Sequence, residues 1–294
     1  MPANRILLIE NPARLSVDHG RLRIEREGQE DAFAAPTDIA VLCLHHHTIN
    51  LSVHVLKAMA AAGATVLVTD DQHHPSALMV PVAGNQALPQ RLQQQIEIRD
   101  SDLSRELWTQ IVRSKIRTQA TNLRYFDLNG ALRLDRLAKE VKLGDTSNAE
   151  AQAARHYWKY FFGEDFSRRK EGADDGLNAR LNYGYAVLRA LVARELVMSG
   201  LNSALGLGHQ SQQNPFNLAD DFMEPFRYLV ERHVRTEGME KSPLTSTDKI
   251  TLLRFMEQEV SMGNQTFRIP SAVAESVGSY CRAIESGAGE LRLP

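Results

Sequence analysis

The chain has almost no cysteine, no long apolar run and almost no net charge, and each absence narrows its class. Cys43 and Cys281 are far apart and neither has a CxxC partner. That excludes a disulfide framework and a cysteine zinc site, and suits a reducing compartment. No apolar stretch is long enough to span a bilayer. The first residues, MPANRILLIENP, lack the charged start and extended apolar core of a signal peptide. The expectation is a cytoplasmic protein with no membrane association. Repeats and low-complexity tracts are also missing.

A formal net charge of −2 announces no nucleic acid. Its distribution is more informative. Residues 1–89 carry 6 Lys/Arg against 9 Asp/Glu, residues 90–189 carry 18 against 14, and residues 190–294 carry 10 against 13. The middle third is basic and the last third acidic. A basic middle can offer phosphate contacts while carboxylates gather elsewhere around a cation, although solvated helix faces give the same counts.

With 294 residues, 43% of them hydrophobic, the chain suits two domains. The expected fold class is α+β. Residues 1–82 read as a small β-rich domain, β-sandwich-like with one helix, 83–89 (within PVAGNQALP) as a linker, and 90–294 as a larger all-α domain. Arg5–Ile9, Ile39–Leu44, Thr65–Thr69 and Ala77–Val82 read as strands. Leu15, Val17, Leu22 and Ile24 alternate about Asp18-His19-Gly20 as a hairpin. Leu51–Ala62 reads as a helix stopped by Gly63.

Seven of the ten histidines (His19, His45, His46, His47, His54, His73, His74) lie in this first region. A transition-metal site there is disfavoured, because consecutive strand residues alternate between faces and no compact ligand spacing occurs.

Beyond the linker the pattern is helical. Asp100-Ser101 can cap a helix through Leu103, Leu107, Ile111, Ser114 and Thr118, with basic residues at its outer positions. Ser147 followed three residues later by Glu150 has the form of a capping box. Asn178–Ser203 is apolar around most of its circumference, as a buried central helix would be. His209 follows in the turn beyond it. A helix then runs from about Asn217 through Val230, and two more are expected around Leu252–Val260 and Ser271–Ile284.

The stretch His209–Arg227 (HQSQQNPFNLADDFMEPFR) concentrates one imidazole, Asp220, Asp221, Glu224 and Arg227. Like charges at these spacings repel unless something positive lies between them. A helix N-terminus, Arg227 or another basic partner, or a divalent cation could supply that charge. Histidine with carboxylates and no thiolate suits Mg²⁺ or Mn²⁺.

Three segments, NAEAQAARHYWKYFFG, LNARLNYGYAVLRALVARELVMSGLNSALGLGH and NPFNLADDFMEPFR, resemble the CRISPR-associated integrase family Cas-one, and most closely its type II members. The resemblance implies metal ligation and catalysis by Glu150, His209 and Glu224, with Asp221 a possible further ligand, and Mg²⁺ or Mn²⁺ as cofactor. It implies a homodimer formed through the N-terminal domain, which assembles with the small partner Cas-two. The expected activity is endonuclease and integrase chemistry in spacer acquisition, an antiviral defence. The 3′-hydroxyl ends of captured double-stranded DNA would be joined to the CRISPR repeat backbone by transesterification. Arg105, Arg113, Lys115, Arg117, Arg124, Arg168, Arg169 and Lys170 would then be the candidate phosphate contacts. The rival expectation is a non-catalytic DNA-binding or assembly subunit whose acids merely cap helices.

Overall fold

The computed structural model describes residues 5–69, 75–81, 87–169, 176–238 and 243–294. Its first part is built from β1 (Arg5–Ile9), β2 (Arg14–Asp18), β3 (Arg21–Glu25), β4 (Ala32–Ala34), β5 (Ile39–Leu44), β6 (Asn50–Leu51), α1 (Val53–Ala61), β7 (Thr65–Thr69) and β8 (Pro75–Met79). One sheet has the order β1-β5-β7-β8, with β8 antiparallel to the other three; the second has the order β4-β3-β2-β6. The β2–β3 hairpin forms at the expected place. His19 and Gly20 take φ of 45° and 76°, and positive φ at both central residues matches the twist of the flanking strands.

The two sheets and α1 enclose one apolar cluster, to which Leu15, Leu22, Ile24, Leu42, Val55, Met59 and Val66 contribute. Every residue of β5 is buried. Val41, Cys43 and Leu67 leave that cluster and join the core of the helical part. Parallel strands covered on both faces need such a continuous apolar run, and IAVLCL supplies it.

The second part comprises α2 (Leu88–Ile98), α3 (Asp102–Tyr125), α4 (Ala131–Glu140), α5 (Ala149–Phe162), α6 (Gly176–Met198), α7 (Asn217–Met223), α8 (Arg227–Thr236), α9 (Ser246–Leu253), β9 (Glu259–Met262), β10 (Gln265–Arg268) and α10 (Ile269–Ser286). The fold is α+β, as expected. The expected linker 83–89 lies mostly outside the described residues, and its end already belongs to α2. Ser101 caps α3, accepting from the Ser104 amide at 3.1 Å.

Central α6 packs on β5, β7, α7, α8, α9 and α10. It ends at Met198 rather than near Ser203, where Gly200 takes φ 75°. At Gly184 an added Cβ would lie 2.4 Å from Val230 Cγ1, so α6 and α8 approach too closely for any side chain there.

Two further expectations in this part change. The helix from Asn217 to Val230 is two helices, because Pro225 has no N–H to donate and crowds the preceding turn. Glu224–Phe226 is a 3₁₀ turn between them. The helix expected to reach Val260 stops at Leu253, and a two-strand hairpin follows, turning at Gly263 with φ 61°.

On α9, Lys249 is fully buried and its Nζ finds no hydrogen-bond partner among the described residues. Burial lowers its pKa from 10.5 to about 8, against the pull of Glu10. A depressed lysine makes the fold less stable wherever it is charged, so stability rises with pH between about 8 and 10.5. Lys249→Met is expected to raise the melting temperature at pH 7 by about 2 °C or more. Its advantage should shrink as the melts are repeated toward pH 10.5.

Candidate active site

Glu150 lies in the first turn of α5, and its carboxylate is available because another residue caps the helix. The capping box between Ser147 and Glu150 does not form. Asn148 adopts a left-handed conformation (φ 53°), so the helix starts one residue later than the box requires. Asp145 reaches over instead, accepting from the amides of Ala149 at 2.7 Å and Glu150 at 3.0 Å. Its charge suits a helix N-terminus. Ser147 Oγ makes no hydrogen bond. The Glu150 side chain crosses to α3, where Lys115 Nζ donates to Oε1 at 2.6 Å.

Lys115 overturns the reading that placed it among outer basic positions. It is 9% exposed, and its ammonium also lies 2.6 Å from Glu224 Oε2. Glu224 is buried at the head of the 3₁₀ turn, and Arg227 donates to its Oε1 at 2.5 Å. Burial opposes ionisation of Glu224, but Arg227 and Lys115 outweigh it and hold the carboxyl down at about 2. Burial likewise works against the Lys115 ammonium, and Glu224 and Glu150 outweigh it, raising its pKa.

His209 is held by Asp221, which is fully buried. Asp221 Oδ2 accepts from the amides of Leu207 at 2.5 Å and Gly208 at 3.2 Å. Its Oδ1 accepts from the His209 amide at 3.0 Å and lies 2.7 Å from His209 Nδ1. A carboxylate at Nδ1 places the ring hydrogen there and leaves the Nε2 lone pair free. The hydrogen bond to Asp221 raises the His209 pKa against desolvation, with Asp221 and Glu224 adding to the rise. Burial pushes the Asp221 carboxyl up, while His209 and the loop amides pull it down.

Two glycines let the loop wrap this carboxylate. A Cβ on Gly206 would lie 2.2 Å from the His209 carbonyl oxygen, and one on Gly208 would lie 2.3 Å from the Trp108 ring. Trp108 meets the His209 ring edge-on at 5.8 Å.

A second polar level lies below. Tyr157 and Tyr185 donate to the two oxygens of buried Glu231, each at 2.7 Å. Asn122 donates to Tyr157 Oη at 3.0 Å and to the Tyr228 carbonyl at 2.8 Å. Arg227 stands 4.1 Å over the Tyr185 ring, joining this level to Glu224. The sequence analysis singles out none of Asn122, Tyr157 and Glu231. The usable signal was spacing, because Lys115/Asn122, Glu150/Tyr157 and Glu224/Glu231 are each seven positions apart.

Asp220 is not a cap. It accepts from Arg189 at 2.8 Å and from Asn214 at 2.7 Å. The basic candidates do not converge. Arg105 pairs with Asp102, Arg113 donates to the Val141 carbonyl, and Arg124 pairs with Asp135. Arg117 is exposed. Arg168 donates to Asn178 and Asn182 and stands 5.3 Å from the Tyr185 ring. The Arg169 amide donates to Asn178, and its side chain is exposed. Lys170 lies outside the described residues.

In the first region, buried His45 meets Tyr183 edge-on, and His46 stacks on His47. His73 and His74 lie outside the described residues. A cavity of about 540 Å³ opens behind the 206–217 loop, and it contains none of Glu150, His209 and Glu224.

Among the described residues, no three His, Cys, Asp or Glu side chains form a ready metal cluster. The Lys115 ammonium stands between the two glutamates. The donor chemistry nonetheless fits a hard cation: two carboxylates and one imidazole, with no thiolate. Glu224 Oε2 is buried and faces the Lys115 ammonium at 2.6 Å, so the oxygen that would meet a cation is already turned toward positive charge.

The family model for the CRISPR associated protein Cas1 matches residues 6–248. The chain belongs to the Cas1 family. The CRISPR-associated endonuclease Cas1 of Neisseria meningitidis serogroup C (strain 8013) is 39% identical over 298 residues, covering 99% of this chain and 95% of that protein. Two solved structures share the fold. A casposase bound to integration product has a TM-score of 0.80 at 19% identity, over 98% of this chain and 92% of that one. A Cas6-RT-Cas1–Cas2 complex has a TM-score of 0.77 at 15% identity, over 97% of this chain and 35% of that one.

Within this Cas1-family site, Asp221→Ala removes the acceptor of three loop amides and of His209. It is expected to cost about 3 kcal/mol in urea unfolding, since each stranded donor carries a desolvation penalty. Asp221→Asn, which keeps one carbonyl acceptor, should cost less than half of that.

Proposed function

We propose that this Cas1-family chain is a divalent-metal-dependent DNA endonuclease and integrase of CRISPR adaptation. Glu150, His209 and Glu224 would hold Mg²⁺ or Mn²⁺. The observation that carries the reading is the meeting of Glu150 and Glu224, from distant segments, at one largely buried cation. His209 is near enough for Glu224 to raise its pKa. A bound ion would supply Lewis-acid polarisation of a phosphodiester and make a hydroxyl more acidic.

The chain's own residues prepare that site. Asp221 orients His209 so that Nε2 faces outward as a donor. Arg227 braces one oxygen of Glu224 and leaves the other to face Lys115. Asp145 takes over the cap of α5, so Glu150 is not spent on its own helix. That point weighs against the reading in which Glu150 and Asp220 serve only as caps.

The substrate in this reading is double-stranded DNA, whose 3′-hydroxyl ends would be joined to a CRISPR repeat by transesterification. Fold similarity to a casposase bound to integration product supports DNA joining. Fold similarity to a Cas6-RT-Cas1–Cas2 complex supports a Cas2 partner. The same reading has the β-rich residues 1–82 pair two copies into a homodimer, 90–294 carry metal and DNA, and the assembly work in the cytoplasm. No helix among the described residues is long and apolar enough to cross a membrane.

Glu150→Gln, His209→Ala and Glu224→Ala are each expected to lower Mn²⁺-dependent strand transfer by about 100-fold or more, with circular dichroism unchanged. Undiminished transfer in all three would leave the non-catalytic assembly subunit as the better reading.

A further inference from the structure

We propose that Lys115 is the built-in counter-cation of the site, a positioning residue that keeps Glu150 and Glu224 side by side until a divalent cation displaces its ammonium. The inference rests on the metal reading given above.

Glu150 and Glu224 reach the site from different elements, one on α5 and the other on the 3₁₀ turn after α7. Two carboxylates drawn together away from water repel strongly unless a positive charge lies between them. Lys115 Nζ is 2.6 Å from an oxygen of each. The lysine is held there rather than draped over the surface, because Ile111, Val112 and Ile116 around it on α3 are all fully buried. Its reach is set from the middle of a long helix. The two glutamates are not equally dependent on it. Glu224 keeps Arg227 as a second partner, whereas Glu150 has no other ion pair among the described residues.

Charge decides the direction of the effect. Glu150 and Glu224 bring two negative charges, and Lys115 and Arg227 bring two positive ones. A divalent cation entering that balanced group meets an ammonium at the place where both carboxylates point. It can take both oxygens only if the ammonium leaves. Removing the charge at 115 leaves the group net negative and open, so metal should bind more tightly even though the metal-free fold is weakened. Loss of a purely structural lysine would instead weaken both together.

The test is a calorimetric Mn²⁺ titration of the full chain, with melting temperatures in chelator and in Mn²⁺. Lys115→Met is expected to bind Mn²⁺ at least about tenfold more tightly than the parent, and to melt lower in chelator. Its rise in melting temperature on adding Mn²⁺ should also exceed that of the parent. Lys115→Arg retains the charge and should stay within a few fold of the parent. Lys139→Met, on the exposed face of α4, controls for overall charge and should leave affinity unchanged. If Lys115→Met unfolds in chelator, refolding on Mn²⁺ supports the proposal and failure to refold overturns it. Equal or weaker binding by Lys115→Met, with Glu150→Gln still weakening it, overturns the proposal and leaves the metal reading standing. If Glu150→Gln and His209→Ala bind Mn²⁺ like the parent, the metal reading itself fails and this inference falls with it.

Discussion

One ammonium between two carboxylates ties the site together. Lys115 joins α3 to the first turn of α5 and to the 3₁₀ turn between α7 and α8. Arg227 extends the chain of charge from Glu224 to the Tyr185 ring. Taking such groups from water costs about as much as their attraction returns. The cluster is therefore better understood as fixing where these segments sit than as adding stability. Position is what a site assembled from distant stretches of chain needs most.

Along α3 the spacing is regular. Trp108, Lys115 and Asn122 are seven residues apart, close to two helical turns, and so return to one face. Trp108 meets the His209 ring, Lys115 meets the two glutamates, and Asn122 meets Tyr157. The same step relates Glu150 to Tyr157 on α5 and Glu224 to Glu231 across the turn. Three levels result, with the imidazole at one end and a fully satisfied buried acid at the other. The lower level supports the upper one without exposing polar atoms to apolar core.

Much of this was legible in the residues. The strands follow from β-branched runs, the hairpin from Asp18-His19-Gly20, and the α3 cap from Ser101. His209 and the acids after it stood out as an unusual local density of charge. Other features depend on partners far away in the sequence. Ser147 and Glu150 form a good capping box on paper, but Asp145 competes for the same amides and wins once Asn148 turns left-handed. Lys115 reads as one more basic residue on an amphipathic helix, because its burial is created by glutamates 35 and 109 positions away. Pro225 breaks a pattern that otherwise continues apolar from Phe222 to Val230, so periodicity alone runs one helix through the 3₁₀ turn. The hairpin at Gly263 carries little signal, because each of its strands is only four residues long.

Strand β5 has a consequence for how the chain is made. One of its sides closes the core with α1 and the second sheet, all encoded within the first 69 residues. Its other side, with Val41 and Cys43, is covered by α6, which begins at residue 176. A ribosome therefore releases the sheet well before its cover exists. During that interval an apolar wall faces water, and the late arrival of a distant helix is the kind of long-range closure that slows folding. Once α6 has docked, neither half of the protein can open that wall without exposing the other half's interior. The two regions should consequently melt together rather than in sequence.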